Sequence, residues 1–64
     1  MVTENVSISV VLTSEEAWEF AQFLKRVGHS FYRGLARDDE EAYLMFYAGE
    51  KVRAALADQG YAPR

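Results

Sequence analysis

The sequence lacks the groups that small proteins commonly use to stabilise a fold. Its 64 residues include no cysteine and a single histidine, so neither a disulfide nor a cluster of His and Cys metal ligands can form. A chain of this size buries only about 60% of its unfolded surface on folding, and such chains usually need a disulfide, a metal ion or a partner chain. We therefore expect a homodimer that holds no metal and no cofactor.

Long apolar runs are also missing. No stretch approaches the roughly 20 apolar residues of a membrane-spanning helix, and residues 1–14 lack the basic start and apolar run of a signal peptide. Apolar residues nevertheless make up 50% of the chain, which is too many for a disordered protein. We expect one soluble, cytoplasmic domain over residues 1–64 that does not bind a membrane.

Catalytic motifs are absent as well. Without cysteine, a nucleophile would need His29 as its base, and His29 directly follows a glycine in a predicted loop. The acidic run of residues 38–41 lacks the alternating ligands and central glycine of a calcium loop. The four glycines are scattered and form no phosphate-binding loop. The sequence therefore predicts a protein that is not an enzyme.

Charge is distributed in three blocks. Residues 1–24 carry four acids and no base, residues 25–37 carry four bases and no acid, and residues 38–64 carry six acids and three bases. An acidic surface with a basic middle is unsuited to neutralising a row of phosphates, so we expect no nucleic-acid binding and favour protein partners with basic patches. The alternative is that the charges only complement the dipoles of two successive helices.

The N-terminal segment has the pattern of a strand. Val6, Ile8 and Val10 alternate with small residues over residues 5–12, which is the period of a half-buried strand. No second strand is evident, so we expect these three residues to pair with the same strand of a second copy. The alternative is a monomer whose strand packs on its own helices or pairs with the tail around Tyr61.

Two main helices follow the predicted strand. Thr13 and Glu16 form a capping pattern that predicts a helix over residues 14–27, ending at a left-handed Gly28. Residues 29–37 predict one or two short turns, and the acidic run opens a second long helix that should stop at Gly60. The expected fold class is α+β, in the order strand, helix, short helix and helix.

Several side chains are candidates for an interface with another protein. Trp18 lies off the apolar arc of the first helix, and Tyr43 and Tyr47 share one side of the second. Trp and Tyr dominate interface energetics, although aromatic residues at helical spacing also form cores. Adding the exposed acids gives the full candidate set: Trp18, Tyr43, Tyr47, Glu15, Glu16, Glu19, Asp38, Asp39, Glu40 and Glu41.

Most of the chain resembles a group of short bacterial proteins. The strings LTSEEAWEFAQFLKRVG and YRGLARDDEEAYLMFYAGEKVRAALADQGYAPR resemble uncharacterised proteins encoded by proteobacterial genomes and their phages or prophages. The resemblance implies a context similar to that of the anti-CRISPR proteins, which are small phage proteins that occupy a surface on a host protein. It suggests a stoichiometric inhibitor of a host defence protein, acting in the host cytoplasm with its acids against a basic nucleic-acid channel.

Two alternatives belong to other functional classes. The stretch SISVVLTSEEAWEFAQFL resembles the start of the ribbon-helix-helix repressors, in which a dimeric ribbon reads the major groove of DNA. The outward positions would be Ser7, Ser9 and Val11, which cannot make the usual bidentate contacts to bases. The remaining alternative is a structural homodimer with an unrelated regulatory role.

Overall fold

The computed structural model describes residues 4–64 and contains three helices. They are α1 (Ser14–Arg26), α2 (His29–Leu35) and α3 (Asp39–Asp58). The positions of the helices agree with the sequence-based predictions to within a few residues. The predicted α+β class is wrong, because no strand occurs between residues 4 and 64.

The segment of residues 4–13 leads into α1 without joining a sheet. Val6 and Ile8 are largely exposed, and Val10 is two-thirds exposed beside the C-terminal half of α3. Alternation of apolar side chains favours an extended backbone, but a strand also needs a neighbouring strand for its N–H and C=O groups. The described chain offers no neighbouring strand. The prediction that Val6, Ile8 and Val10 form a strand is therefore wrong, and these residues lie in an irregular segment.

The N-terminus of α1 is fixed by a capping box. The Thr13 hydroxyl accepts a hydrogen bond from the Glu16 N–H at 3.0 Å, and the Thr13 N–H donates to Glu16 Oε1 at 2.9 Å. This pair satisfies two backbone donors that helix formation leaves free. At the other end the prediction for Gly28 is wrong: its φ is −110°, which is ordinary extended backbone, and it is the N-cap of α2.

The basic block and the acidic run meet at the start of α3. Asp38 is the N-cap and accepts a hydrogen bond from the Glu41 N–H at 2.9 Å. The Arg33 guanidinium binds Asp39 at 2.7 Å, and the Arg37 guanidinium binds Glu41 at 2.6 Å. The charges that the sequence separates into blocks are therefore partly neutralised within the chain.

The C-terminus of α3 is a Schellman turn. Gly60, where the sequence predicts that the helix stops, has a φ of +97° and so adopts the left-handed conformation. Its N–H donates to the Ala57 carbonyl and the Tyr61 N–H donates to the Leu56 carbonyl, both at 2.9 Å. The turn reverses the chain and brings Tyr61 back towards α1.

The buried core is small. Within residues 4–64 it consists of five residues, three of which are alanine: Ala17, Ala21, Leu24, Val27 and Ala42. Helix α3 packs against both α1 and α2, and Gly49 of α3 lies next to the Tyr32 side chain of α2. No helix in residues 4–64 is long and apolar enough to cross a membrane.

The molecule is thin in one direction. Its principal extents are 35 × 27 × 15 Å. The Cα radius of gyration of 13.0 Å is that of a domain of about 100 residues, whereas 64 residues packed compactly would give about 10.7 Å. Stable domains normally bury their apolar faces between two layers.

Candidate interaction surfaces

An aromatic groove lies between α1 and the C-terminal tail, and we call it the Trp18 groove. The Trp18 and Tyr61 rings meet edge to face, with centroids 6.3 Å apart and planes at 61°. The open space beside them measures about 580 Å³. Trp18 is 43% exposed, so the largest side chain of the protein is only half covered by its own chain. The groove is lined by Ser14, Glu15, Trp18, Glu19 and Tyr61.

The rim of the Trp18 groove is acidic. Glu15 and Glu19 both line it, and neither carboxylate takes part in an ion pair or a side-chain hydrogen bond within residues 4–64. Glu16, by contrast, is committed to the capping box of α1. An aromatic floor with an acidic rim is complementary to a Lys or Arg side chain, which a Trp face attracts and a carboxylate pairs with.

The acidic run at the start of α3 has less charge to offer. Asp38 caps the helix, and Asp39 and Glu41 are paired with arginines at 2.7 Å and 2.6 Å. Within residues 4–64, only Glu40 of this run is without a side-chain contact of this kind. The structure therefore separates the acidic candidates into a partly neutralised set on α3 and an unpaired set at the Trp18 groove.

The two predicted tyrosines form a stack on α3. Tyr43 and Tyr47 have ring centroids 6.0 Å apart, and each ring is about half exposed. The imidazole of His29 stacks on Tyr43 at 4.1 Å, and its Nε2 is buried without a hydrogen-bond partner in residues 4–64. Phe46 contacts Tyr47 from the side. This tyrosine stack is thus partly covered by α2.

A third surface was not singled out by the sequence, and we call it the phenylalanine patch. Phe20 and Phe23 stack with centroids 5.9 Å apart, and Phe31 of α2 meets Phe23 edge on at 6.5 Å. All three rings are 43–56% exposed. A groove of about 340 Å³ runs along the patch, with Glu19 and Arg26 among the residues lining it.

The phenylalanine patch and the Trp18 groove lie on different sides of α1. At 100° per residue, Trp18 is separated from Phe20 and Phe23 by about 140–160° around the helix axis. The buried alanines, Ala17 and Ala21, face α3 between them. One helix therefore presents two exposed aromatic surfaces, and Glu19 lines the groove at each of them.

The sequence indicated that Trp18 lies off the apolar arc of α1. It did not indicate the contact between Trp18 and Tyr61 or the exposure of Phe20. The contact of Tyr61 with Trp18 depends on the direction in which the Schellman turn sends the tail, which the sequence does not reveal. Phe20 lies on the apolar arc of α1, yet the core of α1 consists mainly of alanines that draw α3 close and leave the larger ring outside. The available signal for this exposure was the width of the apolar arc, which is greater than one neighbouring helix can cover.

The described residues show no group of three or more His, Asp or Glu side chains placed to hold a metal ion. Neither the search of curated proteins nor the search of solved structures found a match to the chain. One family model matches it from residue 1 to residue 64. The chain therefore belongs to this family, which is described as a family of unknown function (DUF7706).

Proposed function

We propose that the chain is a non-enzymatic protein-interaction module that binds a partner protein at the Trp18 groove. The observation that carries the proposal is the half-exposed Trp18 ring packed against Tyr61, with the unpaired carboxylates of Glu15 and Glu19 at the rim of the groove. Half-exposed aromatic side chains that become desolvated on binding are the usual energetic centres of protein interfaces. The fitting partner presents a Lys or Arg beside an apolar side chain.

The position of the only histidine supports a non-enzymatic role. A general base must present its nitrogen to the proton that it removes. The His29 ring is instead stacked on Tyr43, with its Nε2 buried against the protein. Neither His29 nor Tyr43 lines the Trp18 groove.

The experiment compares variants of the groove with matched variants elsewhere. Trp18→Ala removes the aromatic floor, and Tyr47→Ala is its control because that ring is similarly exposed on α3. Glu15→Lys reverses a rim charge at the second position of α1, and Glu40→Lys makes the same change at the second position of α3. Both charge reversals carry the same unfavourable interaction with a helix dipole.

The wild-type chain and its variants are immobilised to capture proteins from the source cell, and a captured protein is then purified and titrated. We expect Trp18→Ala and Glu15→Lys to weaken its binding by about tenfold or more. Tyr47→Ala and Glu40→Lys should leave the affinity within about twofold. Because Trp18 is the only tryptophan, its fluorescence reports directly on occupation of the groove. A partner that depends on Tyr47 or Glu40 instead would contradict the proposal.

The finer proposal is that the partner is a defence protein of a bacterial host with a basic nucleic-acid channel. It comes from the resemblance of the quoted strings to phage and prophage proteins, and the acidic rim of the Trp18 groove is the structural feature that supports it. Such an inhibitor acts stoichiometrically. Nuclease activity of the purified partner should therefore fall in proportion to added chain and reach its minimum at a fixed ratio, whereas activity that does not respond to a bound chain contradicts inhibition.

The ribbon-helix-helix interpretation depended on an N-terminal strand. Residues 4–13 do not form one, and Val6, Ile8 and Val10 lie in an irregular segment. The structural element that would enter the major groove is therefore missing from the described chain.

A further inference from the structure

We propose that the phenylalanine patch is the contact surface for a second copy of this chain, with the two α1 helices antiparallel across a twofold axis. The patch comprises Phe20, Phe23 and Phe31 on a different side of α1 from Trp18, and Glu19 borders both surfaces. This inference goes beyond the proposed function, because it concerns self-association at a different surface. It also replaces the predicted pairing of N-terminal strands as the route to a dimer.

The charges flanking the patch are arranged for a twofold contact. Glu19 and Arg26 line the same groove at opposite ends of Phe23, seven residues or about 10.5 Å apart along α1. Each is too far from the other to pair within one chain, and neither forms an ion pair within residues 4–64. When a second α1 lies antiparallel with the axis level with residues 22–23, Glu19 of each chain faces Arg26 of the other. An isologous interface requires this kind of self-complementarity.

The surface area of the chain supports the same occupant. Its accessible surface is 5519 Å², whereas a compact monomer of 7.3 kDa exposes about 4,200 Å². The excess of about 1,300 Å² includes the irregular segment and the aromatic patches, and it exceeds the roughly 800 Å² that each partner buries in a standard interface. A second copy on the phenylalanine patch also covers this exposed face with a further layer of helices.

The diagnostic experiment is a charge exchange followed by sedimentation velocity over a wide concentration range. Glu19→Arg and Arg26→Glu each place like charges opposite one another at both symmetric contacts. The double variant, E19R together with R26E, restores opposite charges with their positions exchanged. Since the two residues cannot pair within a chain, recovery in the double variant can come only from contact between chains.

We expect the wild-type chain to sediment with twice the chain mass of 7.3 kDa and to dissociate on dilution. Each single variant should raise the dimer dissociation constant about tenfold, and the double variant should recover most of that loss. The two single variants change the net charge in opposite directions, so an effect of net charge alone would change their dimer dissociation constants in opposite directions. Phe23→Gln, at the centre of the patch, should raise the constant by at least about tenfold.

Circular dichroism shows whether each variant keeps its helices, and Phe23→Gln keeps the inference testable if a charge variant unfolds. A chain that stays at 7.3 kDa at all concentrations overturns the inference. So does a dimer unaffected by all of these substitutions, because its interface then lies elsewhere. Trp18→Ala should leave the dimer intact, so failure of the proposed function and failure of this inference give different results.

Discussion

Tyr32 and Gly49 are in contact where α2 crosses α3. A Cβ added at Gly49 would overlap the Tyr32 hydroxyl and come within 3.6 Å of Leu24 Cδ2. Glycine is otherwise a poor choice in the middle of a helix, where it costs about 1 kcal/mol relative to alanine. The packing of α1, α2 and α3 at this point therefore depends on the missing side chain.

We predict that Gly49→Ala destabilises the protein even though alanine is the better helix former. Overpacking against the Tyr32 ring should cost about 1–3 kcal/mol, which offsets the gain of about 1 kcal/mol in helix propensity. Removing the hydroxyl with Tyr32→Phe should relieve most of the overlap. Urea unfolding of the two single variants and the double variant measures the coupling between the sites.

Gly34→Ala is the matched control for this prediction. Gly34 lies in α2, and nothing lies within 4 Å of a Cβ added there. That substitution should stabilise the protein by about 0.5–1 kcal/mol. The proposed contact is disproved if Gly49→Ala stabilises the chain as Gly34→Ala does, or if Tyr32→Phe does not change its effect.

At the scale of an element, the end of α3 determines where Tyr61 lies. Gly60 adopts a φ of +97°, which permits the two hydrogen bonds of the Schellman turn. We predict that Gly60→Ala costs about 1–2 kcal/mol, because alanine is unfavourable in the left-handed conformation. Tyr61 should then lose its position against Trp18, and acrylamide should quench Trp18 fluorescence more strongly.

Gln59→Ala serves as the comparison, because Gln59 is the exposed C-cap residue with a φ of −91°. It should change both the free energy of unfolding and the quenching of Trp18 little. Equal effects of the two substitutions would show that the left-handed turn does not position Tyr61.

The elements that could be predicted from the sequence are those that local contacts determine. The Thr13 and Glu16 capping box and the Gly60 turn involve residues a few positions apart, and both are confirmed. A strand depends on a neighbouring strand that can come from anywhere in the sequence, so the alternation of Val6 and Ile8 was insufficient to predict one. The prediction of a left-handed Gly28 failed for a related reason: α2 begins at the next residue, and Gly28 is its N-cap.

At the scale of the whole molecule, the candidate surfaces could be predicted only in part. The exposure of Trp18 follows from its place on the helical wheel, because one helix determines it. The phenylalanine patch depends on how α1, α2 and α3 pack together. The alanines of α1 and α3 leave space for little more than Leu24 and Val27 between the helices, so Phe20 and Phe23 remain outside.

The small core predicts that folding and association are coupled. With five buried residues in the described part of the chain, the isolated chain has little apolar burial to offset the conformational entropy lost on folding, and a second copy would supply the remainder. The melting temperature should then rise with protein concentration. A tenfold increase contributes about 1.4 kcal/mol per dimer, which for two chains of 64 residues corresponds to about 5 °C. Differential scanning calorimetry at several concentrations should show this rise for the wild type and for the double charge exchange at Glu19 and Arg26, and a lower melting temperature at each concentration for Phe23→Gln. A wild-type melting temperature independent of concentration would mean that the thin molecule is stable alone.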